Sequence, residues 1–324
     1  MPLDRPWDAP DAEELDGLTF ETWIRRTCKT DGGRRFFRVV SAAVWAADPA
    51  SLSMLHVLFY VHSAGGLDAL LDTGGGAQQD RVVGGTQLLA VRLAERLGPG
   101  RVRLATPVRR VEWGPGGVSL HADGGVEVHA RRAILTGPPT LLGRLSYDPP
   151  LPAERDLLTQ RVPNGAVVKC MAVYERPFWR DAGLSGQAAS DEGPVQVVFD
   201  NSPPSGTPGV LLGFLEGTHA IRLSGVPADE RRAAVVDAFT GLFGPQAAQP
   251  LRYIERDWSA EEWTRGCYGG HMPPGAWTQL GPALARPVGP LHWAGSETGR
   301  RWSGYMDGAV ESGERAAAEV LAAL

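Results

Sequence analysis

Three stretches of the chain combine residue types and spacings suited to chemistry. The last in sequence runs Gly295-Ser-Glu-Thr298 and then Trp302-Ser-Gly-Tyr-Met-Asp-Gly308, small residues set between a short strand and the opening of the final helix. Free backbone N–H groups and the positive end of the dipole make a helix N-terminus receptive to an anion or an electron-rich ligand atom. Its plain alternative is an ordinary strand-to-helix turn. The second stretch is Arg265-Gly-Cys-Tyr-Gly-Gly-His-Met-Pro-Pro274, where glycines on both sides let backbone approach a planar ligand and leave the Cys267 thiol accessible. A lone cysteine is otherwise a small buried hydrophobe. The third is Lys169, the single charge in the apolar run Gly165-Ala-Val-Val-Lys-Cys-Met-Ala-Val-Tyr174. Lysine is costly to bury unless paired or used, and its ammonium is a point donor that arginine's planar fork cannot imitate. Of 32 basic residues only Lys29 and Lys169 are lysine, which tilts the reading of Lys169 toward function and away from an edge-strand side chain pointing to water.

Positioning these residues needs a mixed framework. From Leu18 to about Leu71 the apolar clusters follow helical spacing, broken at Asp48-Pro49 and Gly65-Gly66. An amphipathic helix is expected over Thr86–Leu97, stopped by Gly98. Short strands are expected at Arg101–Leu104, Val108–Trp113, Val118–His121, Val126–His129 and Ala133–Thr136. The texture changes near Pro149-Pro150; beyond it come strands at Ala166–Tyr174, Val195–Phe199 and Gly209–Glu216 and a helix at Ala228–Leu242. A short strand at Leu291–Ala294 and a helix from about Tyr305 to Leu324 close the chain. No repeat period stands out, so a solenoid or propeller is not expected.

Composition narrows the function classes. With 324 residues, 43% of them hydrophobic, the chain can bury a large core and divide into two domains; disorder and fibrous structure are excluded. The 32 basic and 37 acidic residues nearly balance, at a net charge of −5, so nucleic acid is not an expected partner. No apolar run reaches the roughly 20 residues of a membrane span, and no signal peptide precedes the acidic, Pro-broken N-terminus, so a cytoplasmic protein away from membranes is expected. Cys28, Cys170 and Cys267 are too few and scattered for a disulfide framework or a metal site.

Asp80-Arg-Val-Val-Gly-Gly85, Arg161-Val-Pro-Asn-Gly-Ala-Val-Val-Lys-Cys170, Pro177-Phe-Trp-Arg180, Gly266-Cys-Tyr268, Pro273-Pro-Gly275 and the run from Trp302 to Ala317 stand in an order and at distances that resemble the flavin-containing monoamine oxidases, from about Pro6 to the C-terminus. The resemblance implies FAD-dependent oxidation of an amine to an imine, then an aldehyde, with O2 reduced to H2O2. Carried over residue by residue, it puts Cys267 where those enzymes hold FAD through a thioether, and Tyr268 and Tyr305 on the two rings that sandwich the amine. Lys169 matches the lysine holding a water near flavin N5, and Met306 the residue whose backbone N–H meets the flavin O2 edge. Ser296 lies at the phosphate-contacting position, and Glu297 and Trp302 count among the cofactor-binding residues the resemblance implies. Val108 falls at the adenine-contacting strand and Trp258 in the wall beside the isoalloxazine. Leu70, Leu71 and Gln78 fall on the substrate cavity.

The fold class implied is α+β with two interleaved regions: a substrate region of 1–82 and 159–260, and an incomplete FAD-binding region of 83–158 and 261–324. Family members hold the FAD pyrophosphate with a strand, a GxGxxG turn and a helix. None of the glycine tracts here spells that fingerprint, so the expectation is that the dinucleotide-binding unit comes from a second chain or a homo-oligomer, or lies upstream of a misassigned start. A flavin-free binding or regulatory module is the competing class. A small primary amine is the expected substrate, with an amino acid as alternative because Arg300 or Arg301 could pair with a carboxylate.

Overall fold

The computed structural model describes all 324 residues, in an α+β arrangement of three sheets surrounded by helices. The opening segment is helical: α1 (Ala12–Gly17), α2 (Phe20–Thr27), α3 (Asp31–Trp45), α4 (Met54–Ser63) and α5 (Leu67–Leu71). Three starts are fixed by hydroxyl caps. Thr19 accepts from Thr22 N, Thr30 from Gly33 N and Ser53 from His56 N, each satisfying an N–H that the helix leaves free. Ser53 Oγ also donates at 2.6 Å to the buried Asp16 carboxylate, which accepts from Thr278 N and Oγ1 as well. That acid is satisfied by ties to two distant segments.

Helix α6 (Gln87–Leu97) ends as its glycine dictates, Gly98 standing at φ 88°. It buries none of its residues, and Leu89, Val91, Leu93 and Leu97 are all exposed. Next come β1 (Val108–Gly114), β2 (Gly117–Ala122), β3 (Val126–Ala130), β4 (Ala133–Leu135), α7 (Pro139–Leu142), β5 (Ser146–Asp148) and α8 (Ala153–Arg161). Strands β3, β2, β1 and β5 form one sheet in that order, with β5 parallel to β1. The expected strand at Arg101–Leu104 does not form. Its apolar residues find no sheet to join, and Leu104 is left 84% exposed just ahead of Pro107.

The central sheet, ordered β10–β6–β9–β8–β7, is antiparallel throughout. Its strands are β6 (Val167–Tyr174), β7 (Ala188–Ala189), β8 (Val195–Asp200), β9 (Gly209–Glu216) and β10 (Arg252–Asp257), with α9 (Thr218–Ser224) and α10 (Ala228–Phe243) between the last two. Period-two alternation divides its faces. Val168, Cys170, Ala172 and Tyr174 of β6 join Leu211 and Leu215 of β9 in a core sealed by Val235, Phe239 and Phe243 of α10. Gly213 is what lets that helix approach, since a Cβ there would lie 2.7 Å from the Phe239 ring. The alternate residues, among them Val167, Lys169, Phe214 and Glu216, face the other way.

After α11 (Ala276–Leu280) the chain returns as β11 (Leu291–Trp293), which pairs in parallel with β4 alone, and ends in α12 (Met306–Ala322). Gly308, Ser312 and Ala316, buried at four-residue spacing, form the stripe on α12 against which the preceding loop packs. No helix is long and apolar enough to cross a membrane.

Candidate active site

Parallel strands β4 and β11 end together at Leu135 and Trp293, with Thr136 and Ala294 next in the chain, and the crevice beyond the carboxyl ends of such strands is where α/β sheets take ligands. A cavity of about 390 Å³ opens there. Thr136, Pro138 and the turn Ala294–Glu297 form one side, Ala309 and Gly313 of α12 another. Facing them are Asn164, Trp258, Thr264 and the loop Gly266–Gly269.

The loop is pinned by backbone bonds: Cys267 N to Gly165 O at 2.9 Å, Gly266 N to Trp258 O at 2.9 Å, Gly165 N to Gly269 O at 3.2 Å. Gly165 has to be glycine, because a Cβ would collide with the carbonyls of Cys267 and Trp45. On the strand side, Glu297 binds the loop directly, Oε1 accepting from Gly270 N at 3.0 Å and Oε2 from Ser296 Oγ at 3.0 Å. Gly269 packs closely on that carboxylate, where a Cβ would sit 3.3 Å from Glu297 Oε1.

Tyr268 donates its phenol hydrogen to Glu216 Oε1 at 2.6 Å, and its ring meets Phe214 edge-on at 6.3 Å. Lys169 Nζ stands 5.3 Å from the centre of the same Phe214 ring, a cation–π distance that gives the sheet's one lysine a place beside the loop. Burial raises both Tyr268 and Tyr305, Tyr268 well above the ordinary phenol range and Tyr305 to about 12. Both rings are therefore neutral at physiological pH. Burial also pushes the Cys267 thiol up to about 11, with Lys169 pulling it down and Glu216 pushing it up.

The cavity thus brings together Cys267, Tyr268, Trp258, Ser296 and Glu297. Trp302 and Tyr305 stack edge-on at 5.3 Å in the helical cluster that also holds Leu70 and Leu71, with Tyr60 6.0 Å from Tyr305. Eight expected residues do not line the cavity: Lys169, Leu70, Leu71, Trp302 and Tyr305, and with them Val108, Gln78 and Met306. Val108 opens β1 against the core of the smaller sheet, Gln78 is exposed in the turn after α5, and Met306, at the first position of α12, is 52% exposed. Arg300 and Arg301 are exposed, their backbone N–H groups held by Glu311 at 2.9 and 3.0 Å. Sequence reasoning passed over Asn164, Phe214, Glu216 and Tyr60. Asn164 alone carried a signal, lying inside the Arg161–Cys170 motif.

The flavin containing amine oxidoreductase family matches residues 2–321. This chain belongs to that family. It is 44% identical over its whole length to a protein of Mycobacterium tuberculosis H37Rv named as a flavin-containing monoamine oxidase, of which it spans 70%. It is 36% identical to the flavin-containing amine oxidase A of Equus caballus, of which it spans 62%. Among solved structures, a putrescine oxidase redesigned in its cofactor binding superposes with a TM-score of 0.96 at 36% identity, over all of this chain and 72% of that one. The cyclohexylamine oxidase of Brevibacterium oxydans gives 0.94 at 35% identity, over 98% and 70%.

Membership brings FAD as cofactor and amine oxidation as reaction class, with an amine and O2 as the small-molecule partners. The cavity fits the ring end of that cofactor. Its walls are apolar and glycine-lined, and two buried polar atoms of lining residues, Asn164 Oδ1 and Trp258 Nε1, lack partners in the protein. A glycine-lined, apolar wall lets the backbone come close to a planar heterocycle.

Proposed function

We propose that this chain forms the flavin-ring and amine-holding part of an FAD-dependent oxidase of a small primary amine, and that a glycine-rich dinucleotide-binding segment, absent from these 324 residues, holds the pyrophosphate. The observation that carries the reading is the meeting of Cys267, Tyr268, Trp258, Ser296 and Glu297 in one cavity at the ends of the parallel strands. The uncovered leucines of α6 support the need for further chain.

The redox chemistry, two-electron oxidation of the amine at its α-carbon with O2 as the electron acceptor, would be supplied by bound FAD. Everything else falls to the protein. Cys267 would hold the flavin through its sulfur, Trp258 would wall the ring, and Ser296 would serve the phosphate side, with Glu297 fixing Ser296 and the loop to each other. Val108 would serve the adenine, and the Met306 backbone N–H, at the positive end of α12, the negative charge of a reduced ring. Tyr268 and Tyr305, neutral and electron-rich on their faces, would orient an uncharged amine, with Trp302 braced against Tyr305. Lys169 is a fixed cation for a water at the reacting edge. Leu70, Leu71 and Gln78 would border the substrate. In this reading 83–158 and 261–324 serve the flavin, and 1–82 and 159–260 the amine.

The test is reconstitution. The chain is produced fused to, and separately mixed with, a GxGxxG-bearing segment of a relative, then supplied with FAD and a panel of primary amines. The expected result is a yellow complex that releases H2O2 with an amine and keeps its colour in the acid-precipitated pellet. Failure to take up flavin in either arrangement overturns the proposal.

A further inference from the structure

Glu216 is the last residue of β9, on the face that carries Phe214, and is 1% exposed. One carboxylate oxygen takes the Tyr268 phenol hydrogen at 2.6 Å; the other has no protein partner. No ammonium or guanidinium is bonded to it. On the cavity side its neighbours are Tyr268 and Cys267; Lys169, on the same face of the sheet, holds its ammonium over the Phe214 ring. On the opposite side Glu216 and Gly217 border a second cavity of about 410 Å³ with Glu21, Arg25 and Arg38 of α2 and α3, Asp48 of the following turn, and His219 of α9. The cations there are engaged elsewhere, since Glu21 accepts from Arg25 at 2.6 Å and from Arg38 at 2.7 Å. Asp48 Oδ2 accepts from Thr218, and burial lowers His219 from its ordinary value, so neither offers Glu216 a positive charge at neutral pH.

A buried carboxyl whose only partner is a catalytic-site phenol is costly to keep for stability alone, where a leucine would pack without that cost. We propose that Glu216 is a positioning residue of the amine site: it holds the Tyr268 ring through the phenol, and its charge state sets how tightly the ring is held and how electron-rich its faces are. This rests on the reading of Tyr268 as an amine-holding ring. An ionised carboxylate accepts a shorter, stronger hydrogen bond than a neutral carboxyl and draws the phenol proton toward itself, enriching the ring. Burial raises Glu216 from the ordinary 4.5 to about 7, with Tyr268's hydrogen bond pulling it down. The change of state therefore falls near neutrality, the ring being best held on the alkaline side.

The experiment has two arms. Infrared pH-difference spectra of the 324-residue chain should show a protonated-carboxyl band that disappears with a midpoint near 7. The band should be missing in Glu216→Gln, and its midpoint should rise in Tyr268→Phe. A midpoint in the ordinary carboxylate range, or one unmoved by Tyr268→Phe, overturns the coupling. In the reconstituted oxidase, kcat/KM for an amine should rise through the same pH in the wild type, and Glu216→Gln should lose that limb and fall about tenfold above it, the scale of one charge-assisted hydrogen bond made neutral. A limb that persists in Glu216→Gln overturns the role at the amine site. Should the oxidase not turn over amines at all, the infrared arm still decides the coupling, and the proposed function fails separately.

Discussion

At Cys267 a half-buried thiol sits between an ammonium that favours its ionised form and a carboxyl that opposes it. Because the thiolate is the nucleophile, Lys169→Met should slow alkylation of Cys267 several-fold at mildly alkaline pH, while Cys28, in the opening helical segment, reacts at its wild-type rate. Peptide mass spectrometry of iodoacetamide adducts over time reads both sites at once, and equal Cys267 rates in the two proteins would contradict the pairing. The lysine's rarity pointed to this residue, and its place beside the Phe214 ring gives the rarity a physical content. Glu216 carried no comparable signal. An acid between an apolar strand and a glycine reads as an ordinary strand end, and only the sheet register, which puts it across from Val167 and on the face of Phe214, turns it toward Tyr268.

The elements of the central sheet were legible where burial dictates composition. Strands β6, β8 and β9 are apolar runs because one face packs on α10 and the other on the cavity loop. By contrast β10 escaped notice, since Arg252, Glu255, Arg256 and Asp257 charge an edge strand whose alternate residues face water. Helix α8 also went unread because its Arg155 is buried, with its guanidinium 3.7 Å from the Trp293 ring centre and donating to Ala283 and Leu284 carbonyls, in a helix that otherwise looks polar. The contact of β9 with α10 is sensitive to added volume. Gly213→Ala would drive a methyl into Phe239 and Val195 from 2.7 to 2.9 Å, a clash that overpacking data put at about 1–3 kcal/mol. Equilibrium urea unfolding should show the loss, and adding Phe239→Leu should recover part of it by clearing the ring; two additive losses would argue against the contact.

For the molecule as a whole, three buried groups set opposing pH dependences. His56 and His271 are held at about 3 and about 4 by burial, so both are neutral in the folded chain, and stability is lost as pH falls below their unfolded value of 6.5. Glu216 has the opposite sign: its folded value lies above its unfolded one, so the stability it contributes is fully present below 4.5 and lost as pH rises through about 7. His271→Gln should therefore shrink the acid limb of the stability curve, by up to roughly 3 kcal/mol for a shift of this size, and Glu216→Gln should remove a loss between pH 4.5 and 7. Thermal unfolding of the three proteins from pH 4 to 8 measures the differences, and parallel curves would refute both assignments.

The pairing of β4 with β11 also governs how this molecule assembles in time. The two strands stand at 133–135 and 291–293, and the entire five-stranded sheet with α10 lies between them in sequence. Joining them closes a very long loop, and the entropy of that closure stays unpaid until the intervening chain has condensed. The crevice at their ends is thus among the last features to form, after the sheet that carries Lys169, Phe214 and Glu216 is already in place.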